Sequence, residues 1–508
     1  MSDPTTIDVA VVGGGIHGTG IARDAARRGL RVALYERADL GSGTSSASSK
    51  LAHGGLRYLE QLQFGLVREA LRERHVLLRI APHLVRPLPF LAPVADGSRW
   101  KRWQLGPGLW LYDLLAGMRG LERHRWLDRG RTLEVEPVLE NPTLRGAYRY
   151  VDAQMDDARL CVENAIDAAE NGARILTRTE VTGLIVRDGT VAGLHVRDDT
   201  GTDAEVRARL VVNAAGPWYD RIAAAQELAH PARLRLSRGT HVIVPPVTRG
   251  HALILTARED RRVFFVLPFK GRTLIGTTEV EHHDPDSVEP TDAEIDYLLR
   301  AASDHLKGPP LQRDQVLHAF AGVRALRDGD EDDAGRAPRG AEIREDAPGL
   351  IGVLGGKYTT YRAVAERVVD AAERRLRGRT TRCTTATTPL PGGDVPAMND
   401  YFRVAEDLLT DKYEGLDVGL LRYLVGTYGA RHTRILRLLE DDPSGAERIE
   451  PGLPFTLAEV EHCVRQEFAR SVDDMVERRC YRGVLGNWSP AVRDRWERAV
   501  DRARSRVG

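Results

Sequence analysis

Apolar residues gather into short runs at the start of the chain: Ile7-Asp8-Val9-Ala10-Val11-Val12, and then Val32-Ala33-Leu34-Tyr35 behind Arg31. Runs with so little polar alternation predict strands covered on both faces, as in a parallel sheet. Between them lies Gly13-Gly14-Gly15-Ile16-His17-Gly18, leading into a helical stretch through Ile21 to Arg28, and Glu36 closes the second run. Strand, glycine turn, helix, strand and terminal carboxylate make the dinucleotide-binding unit. Gly13, Gly15 and Gly18 let backbone approach a pyrophosphate, the helix N-terminus supplies N–H groups and a favourable dipole, and Glu36 can accept from a ribose hydroxyl.

The same periodicities organise the rest of the chain. Phe64 to Ile80 predicts a helix, with Pro82, Pro87, Pro89 and Pro93 as breakers after it. Asp156 to Gly172 has an apolar helical face, and Ala173 to Val196 reads as a hairpin about Arg187-Asp188-Gly189-Thr190. Ala208 to Trp218 and Leu350 to Lys357 are strands that run into glycine turns at Gly216 and at Gly355-Gly356, the second leading into a helix over Thr360 to Leu376. Runs at His241 to Pro245, Ala252 to Thr256, Val263 to Pro268 and Thr273 to Thr277 predict an antiparallel sheet, and the acidic, glycine-rich 328–340 a solvated loop.

The expected fold is therefore α/β and α+β. A glutathione-reductase-like FAD-binding Rossmann domain is assembled from discontinuous segments 1–80, 150–230 and 342–378. Segments 81–149 and 231–341 form an antiparallel-sheet substrate domain that possibly faces a membrane, 379–394 a linker and 395–508 an all-helical C-terminal domain. A dinucleotide fingerprint at one end and glycine turns returning to it from far along the chain suit a buried FAD.

Composition narrows the partners. The 508 residues carry 73 Lys+Arg and 73 Asp+Glu, so no global positive field points to nucleic acid. Four scattered cysteines argue for a reducing compartment and against an iron–sulfur or zinc site, so no metal is expected. The first residues have no basic apolar leader, and no stretch is long and apolar enough to span a bilayer.

Candidate chemistry concentrates in Thr44-Ser45-Ser46-Ala47-Ser48-Ser49-Lys50-Leu51-Ala52-His53-Gly54-Gly55-Leu56-Arg57-Tyr58. Short hydroxylic side chains leave backbone N–H groups open to a pyrophosphate or an isoalloxazine ring, which makes Thr44, Ser45, Ser48, Ser49, Lys50, His53, Gly54 and Gly55 candidate cofactor contacts. Gly216, Gly356, Lys357 and Thr359 join them from the later glycine turns. Arg57, Arg324, Arg344 and Lys357 are the cations suited to a substrate anion. His53 is the first choice of base, because imidazole accepts a proton near neutrality. His17, within the fingerprint, reads as structural or cofactor-adjacent.

With these motifs in order, to which Asp156-Asp157-Ala158-Arg159-Leu160, Asn213-Ala214-Ala215-Gly216-Pro217-Trp218, Gly276-Thr277-Thr278, Gly322-Val323-Arg324 and Gly355-Gly356-Lys357-Tyr358-Thr359-Thr360-Tyr361-Arg362 belong, the chain resembles the FAD-dependent glycerol-3-phosphate dehydrogenase family, in its aerobic single-subunit form. The resemblance covers almost the whole chain. It implies oxidation of sn-glycerol 3-phosphate to dihydroxyacetone phosphate by hydride transfer to FAD, with a membrane quinone as electron acceptor, and a homodimer is compatible with it. It also implies that Arg57, Tyr58, Arg324, Arg344 and Lys357 surround the substrate. His53 and Arg324 both fall near the reacting carbon, and the high pKa of guanidinium suits Arg324 to stabilising a developing alkoxide. His17 replaces a common Asn and Ala321 a common small hydroxyl residue. An O2-using oxidase, or an enzyme for 2-hydroxy acids or amino acids, shares much of this pattern; a flavin-free scaffold would not need these motifs.

A quinone lies in the bilayer, so attachment is expected at the inner face of the cell membrane, from the cytoplasm. The mixture of Trp100, Trp103, Trp110 and Tyr112 with neighbouring leucines and Arg99, Lys101, Arg102, Arg119 and Arg123 suits an anionic membrane surface.

Overall fold

The computed structural model describes residues 6–60, 62–96, 98–117, 121–224, 234–327, 340–395, 398, 400–405 and 417–507, with backbone only at 57, 223, 224 and 327. Two sheets carry the chain. In the first, the strand Ile7–Val12 lies between Val32–Tyr35 and the far half of Asp203–Asn213, parallel to both. Flanked on both edges and covered on both faces, every one of its residues is buried. Leu350–Leu354 extends the sheet beside Asp203–Asn213, and Arg174–Leu176 beside Val32–Tyr35.

One face of this sheet holds the helices Ile16–Arg27, Asp157–Glu170 and Tyr361–Arg377, packed through Val9, Val11, Leu34, Val162, Leu210 and Val364. Burying each such side chain contributes roughly 1.5–3 kcal/mol. Val181, Leu184 and Leu194, from the hairpin Thr179–Arg187 and Thr190–Asp198, cover Ala10, Ala33 and Val211 on the other face. The strand Asp203–Asn213 joins the two layers: residues 203–207 pair antiparallel with the hairpin, and the later ones run parallel to Ile7–Val12.

Among the described residues the second sheet has ten strands, including Val85–Ala95, Leu144–Met155, Leu234–Val244, Ala252–Thr256, Val263–Phe269, Arg272–Gly276 and His318–Arg327. Leu234–Val244, Ala252–Thr256, Val263–Phe269 and Arg272–Gly276 contain or overlap the strand runs read from the sequence, whereas Val85–Ala95, Leu144–Met155 and His318–Arg327 lie outside those runs. The helix Phe64–Ile80 ends before the prolines expected to break it, and the chain goes on as a strand not expected from the sequence. Pro87, Pro89 and Pro93 sit inside Val85–Ala95, which pairs along its length with Leu144–Met155. They occupy same-parity positions, so their missing donors fall on one edge, the edge that Ala252–Thr256 meets in register only at Phe90 and Leu91.

The described residues from 417 on are mainly helical, with Val418–Tyr428, His432–Asp441, Leu457–Gln466 and Pro490–Ser505 around a fully buried Trp496. Residues 379–394 are held against the rest of the molecule: Leu390 donates to Ile80 O at 2.8 Å, and Arg23 donates to Thr388 O at 2.8 Å. Most of the acidic loop read at 328–340 lies outside the described residues.

Candidate active site

The fingerprint turn is built on contacts that only glycine permits. Gly13 has φ +101°, and a Cβ on it would lie 2.8 Å from Ala214 O; one on Gly18 would lie 1.9 Å from Gly13 O. The turn therefore closes tightly and the helix Ile16–Arg27 starts directly beneath it, with Gly15 as its N-cap. Glu36 reaches back across the turn and accepts from Gly14 N at 2.6 Å and from Ala38 N at 2.8 Å. Burial raises the pKa of its carboxyl, against the pull of those two N–H groups.

Gly13, Gly15, Glu36, Thr44, Ser45, Ser48, Ser49, Lys50, His53, Gly55, Tyr58, Gly216, Arg324, Gly356, Lys357 and Thr359 line one cavity of about 1340 Å³. The dinucleotide turn and Glu36 thus border the same cavity as the cations and imidazoles. A large cavity that joins a glycine cradle to cations fits a dinucleotide that carries a reactive ring.

The serine-rich segment is a braced wall. Ser45 Oγ accepts from Ile16 N at 3.0 Å, Ser48 Oγ donates to Asp157 at 2.6 Å, and Ser49 Oγ is 2.9 Å from His241 Nε2. Lys50 is paired with Asp157 at 2.6 Å and bonded to Ser46 O, so its charge is spent within the wall. Gly54 is bonded behind the cavity, its N donating to Tyr112 OH at 3.0 Å. His53 N donates to Thr359 Oγ1 at 3.2 Å, and its ring meets the Phe265 edge at a centroid distance of 6.2 Å.

Two cations stand over this floor. Lys357 Nζ sits 3.2 Å from the centre of the buried Tyr58 ring. Arg324, on His318–Arg327, donates from Nη2 to Thr277 Oγ1 at 2.8 Å. A Cβ on Gly239 would fall 2.4 Å from that same Nη2, so the neighbouring strand leaves the guanidinium its room.

The chain matches the FAD-dependent oxidoreductase family over residues 8–371 and the C-terminal domain of alpha-glycerophosphate oxidase over 383–495. It is 40% identical over 493 residues to a glycerol-3-phosphate dehydrogenase of Pseudomonas aeruginosa, covering 96% of this chain and 94% of that one. The chain belongs to the FAD-dependent glycerol-3-phosphate dehydrogenase family. The FAD-bound glycerol-3-phosphate dehydrogenase of Bacillus halodurans superposes with a TM-score of 0.81 at 31% identity, over 99% of this chain and 91% of that one. A D-erythritol 1-phosphate dehydrogenase of Brucella abortus is also 40% identical, over 490 residues, 94% of this chain and 95% of that one. FAD is the cofactor of this enzyme, as the motifs led us to expect.

Within this family frame the structure sorts the residues chosen from sequence. Arg324, Lys357, Tyr58 and His53 come together at the cavity. Arg344 does not line it: on the strand Glu342–Ala347, its Nε donates to Asp346 Oδ1 at 2.6 Å, and Asp346 also takes the Tyr219 hydroxyl. The side chain of Arg57 lies outside the described residues. His17 lines the cavity, its Nε2 has no hydrogen-bond partner among the described residues, and burial pushes its pKa down to about 4, so it is neutral at pH 7.

Sequence reasoning missed two parts of the site. His241 is 1% exposed, lines the cavity beside Ser49 and stacks on Phe320 at 5.0 Å. Burial first, and then the charges of Arg324 and Lys50, hold it neutral. A lone histidine in an alternating strand pattern carries no local mark of this. The second part is Val476 to Cys480 of the C-terminal region, which lines the cavity, while Arg478 and Arg479 donate to Asp39 at 2.6 and 2.8 Å.

Proposed function

We propose that this chain oxidises the secondary hydroxyl of sn-glycerol 3-phosphate, giving dihydroxyacetone phosphate, with a membrane quinone as the final electron acceptor. The observation that carries the reading is the placement of Arg324 and Lys357 in the same cavity as the dinucleotide cradle. Bound FAD supplies the two-electron acceptor. Lys357 offers a point charge and Arg324 a planar fork, the two forms of cation that suit a phosphate and a developing alkoxide. An imidazole nitrogen of His53 takes the hydroxyl proton. His241, held neutral at the wall, adds no competing positive charge.

The Brucella relative supports a second substrate of the same class, a four-carbon polyol phosphate. An anaerobic absorbance titration of the purified holoenzyme tests both: glycerol 3-phosphate is expected to bleach the flavin band, and lactate and glycine to leave it. Bleaching by D-erythritol 1-phosphate alone would transfer the reading to the longer polyol. The match to an oxidase C-terminal domain makes O2 the acceptor to compare. Reoxidation by a quinone analogue is expected to outrun reoxidation by air in stopped flow, and the reverse order would make the enzyme an oxidase.

The reading includes attachment to an anionic membrane surface through the helix Arg102–Ala116. Leu105, Leu109 and Tyr112 face inward, whereas Trp103, Trp110 and Leu114 are 71%, 63% and 59% exposed. Leu62, just before the helix Phe64–Ile80 that packs beside it, and Phe64, its first residue, are also exposed. Tyr112 and Trp100 therefore leave the interfacial set named from sequence: Tyr112 donates to Asp152 at 2.6 Å, and the Trp100 indole to Glu60. Arg119 lies outside the described residues. Among the described residues no helix is long and apolar enough to cross a membrane. The protein is expected to sediment with anionic liposomes, and Trp103→Ser with Trp110→Ser to lower the bound fraction about tenfold, since two interfacial aromatic anchors are lost. Wild-type protein left in the supernatant would remove this part of the reading.

A further inference from the structure

At the Glu36 end, the cavity is covered by a segment that arrives from the second sheet. Pro285, Asp286, Val288, Glu289 and Pro290 line it there, between the strand Val280–His282 and the helix Asp292–Ser303. The carboxylate of Asp286 accepts from three side chains of the dinucleotide-binding part: Arg37 Nη2 at 2.8 Å, Trp218 Nε1 at 2.8 Å, and Arg221. Arg37 directly follows Glu36, and Trp218 and Arg221 follow the Gly216 turn. Trp218 is held from both sides, with the Arg37 guanidinium 4.3 Å from its ring centre and Gly43 so close that a Cβ there would lie 3.1 Å from Trp218 Cζ3. Asp284 steadies the turn by accepting from Asp286 N and from Arg221 Nη2, both at 3.1 Å.

We infer that Asp286 pins residues 283–290 as a strap over the adenosine end of the cofactor, and that its bonds to Arg37, Trp218 and Arg221 set how fast FAD leaves. The reacting groups Arg324, Lys357 and His53 do not take part in these bonds. The strap belongs to one sheet and its three anchors to the other part of the molecule, so the array ties together the two walls that must separate for a dinucleotide to escape. Three charge-assisted donors converge on one carboxylate, and lifting the strap breaks all of them at once. Asp286, Arg37 and Arg221 are 42%, 42% and 51% exposed, so salt reaches the array and screens it. The charge balance gives the inference a sign. Were Asp286 only a countercharge to Arg37 and Arg221, its loss would uncover two guanidinium groups beside a cavity that takes a pyrophosphate, and FAD would be held longer.

The test is the release of FAD from holoenzyme after dilution, read as the rise in free-flavin fluorescence. It is independent of which alcohol the enzyme oxidises. Asp286→Ala is expected to release FAD about tenfold faster than wild type, and Asp286→Asn, which keeps an acceptor for the Trp218 indole, to fall between them. Wild-type release should accelerate as NaCl rises from about 0.05 M to about 1 M, and the alanine variant should lose that salt dependence, a readout that a purely structural role would not move. Should the alanine variant fail to hold FAD for study, Asp286→Asn and Arg37→Met carry the same comparison. Release at the wild-type rate with the wild-type salt dependence, or slower release, overturns the inference.

Discussion

Arg324→Ala is expected to lower the rate of flavin reduction by glycerol 3-phosphate by at least ~10²-fold, with FAD still bound, because it removes a charged contact made as the alkoxide develops. Thr277 orients the guanidinium at 2.8 Å, and Gly239 leaves space for it. Gly239→Ala supplies the matched control: a Cβ 2.4 Å from Arg324 Nη2 displaces the group without removing its charge. That variant should lose about tenfold, since small misplacements of a positioned group are costly. Stopped-flow reduction of both variants under anaerobic conditions checks the pair. A wild-type rate in Arg324→Ala would place the chemistry elsewhere in the cavity.

Gly18→Ala is expected to yield protein that loses its FAD on gel filtration, with cofactor affinity reduced by about 10–100-fold. The added Cβ would sit 1.9 Å from Gly13 O, so the turn must open. Overpacking of this kind costs about 1–3 kcal/mol, and here the strain falls on the backbone that approaches the pyrophosphate. Absorbance at the flavin band relative to protein is the measurement, and full retention of FAD would show that the turn tolerates a side chain. The two substitutions separate by readout: one spares the cofactor and loses the reaction, the other loses the cofactor itself.

The dinucleotide unit was legible because its information is local. Gly18 meets Gly13 O within the same turn, and Glu36 lies one strand away, although the backbone that Gly13 approaches, at Ala214, comes from far along the chain. The helix read as Phe64 to Ile80 has those bounds in the structure, and the later glycine turns border the cavity as expected. Legibility failed where partner choice is long-range. From sequence Arg344 groups with Lys357 and Arg324 as a substrate cation, yet Asp346 engages it and it does not line the cavity. The strand Val85–Ala95 was not legible, because its prolines suit a strand only where a neighbour leaves their edge almost unpaired.

Sequence alone determined the cofactor class, the family and the strand–turn–helix units around the glycine turns, because glycine turns, apolar period and motif order act over a few residues at a time. The tertiary structure decided which cations reach the cavity, that His241 stands neutral within it, and that Val476 to Cys480 form part of its wall. Those outcomes depend on desolvation and ion pairing between segments far apart in the chain, and such energies exist only once the segments are brought together.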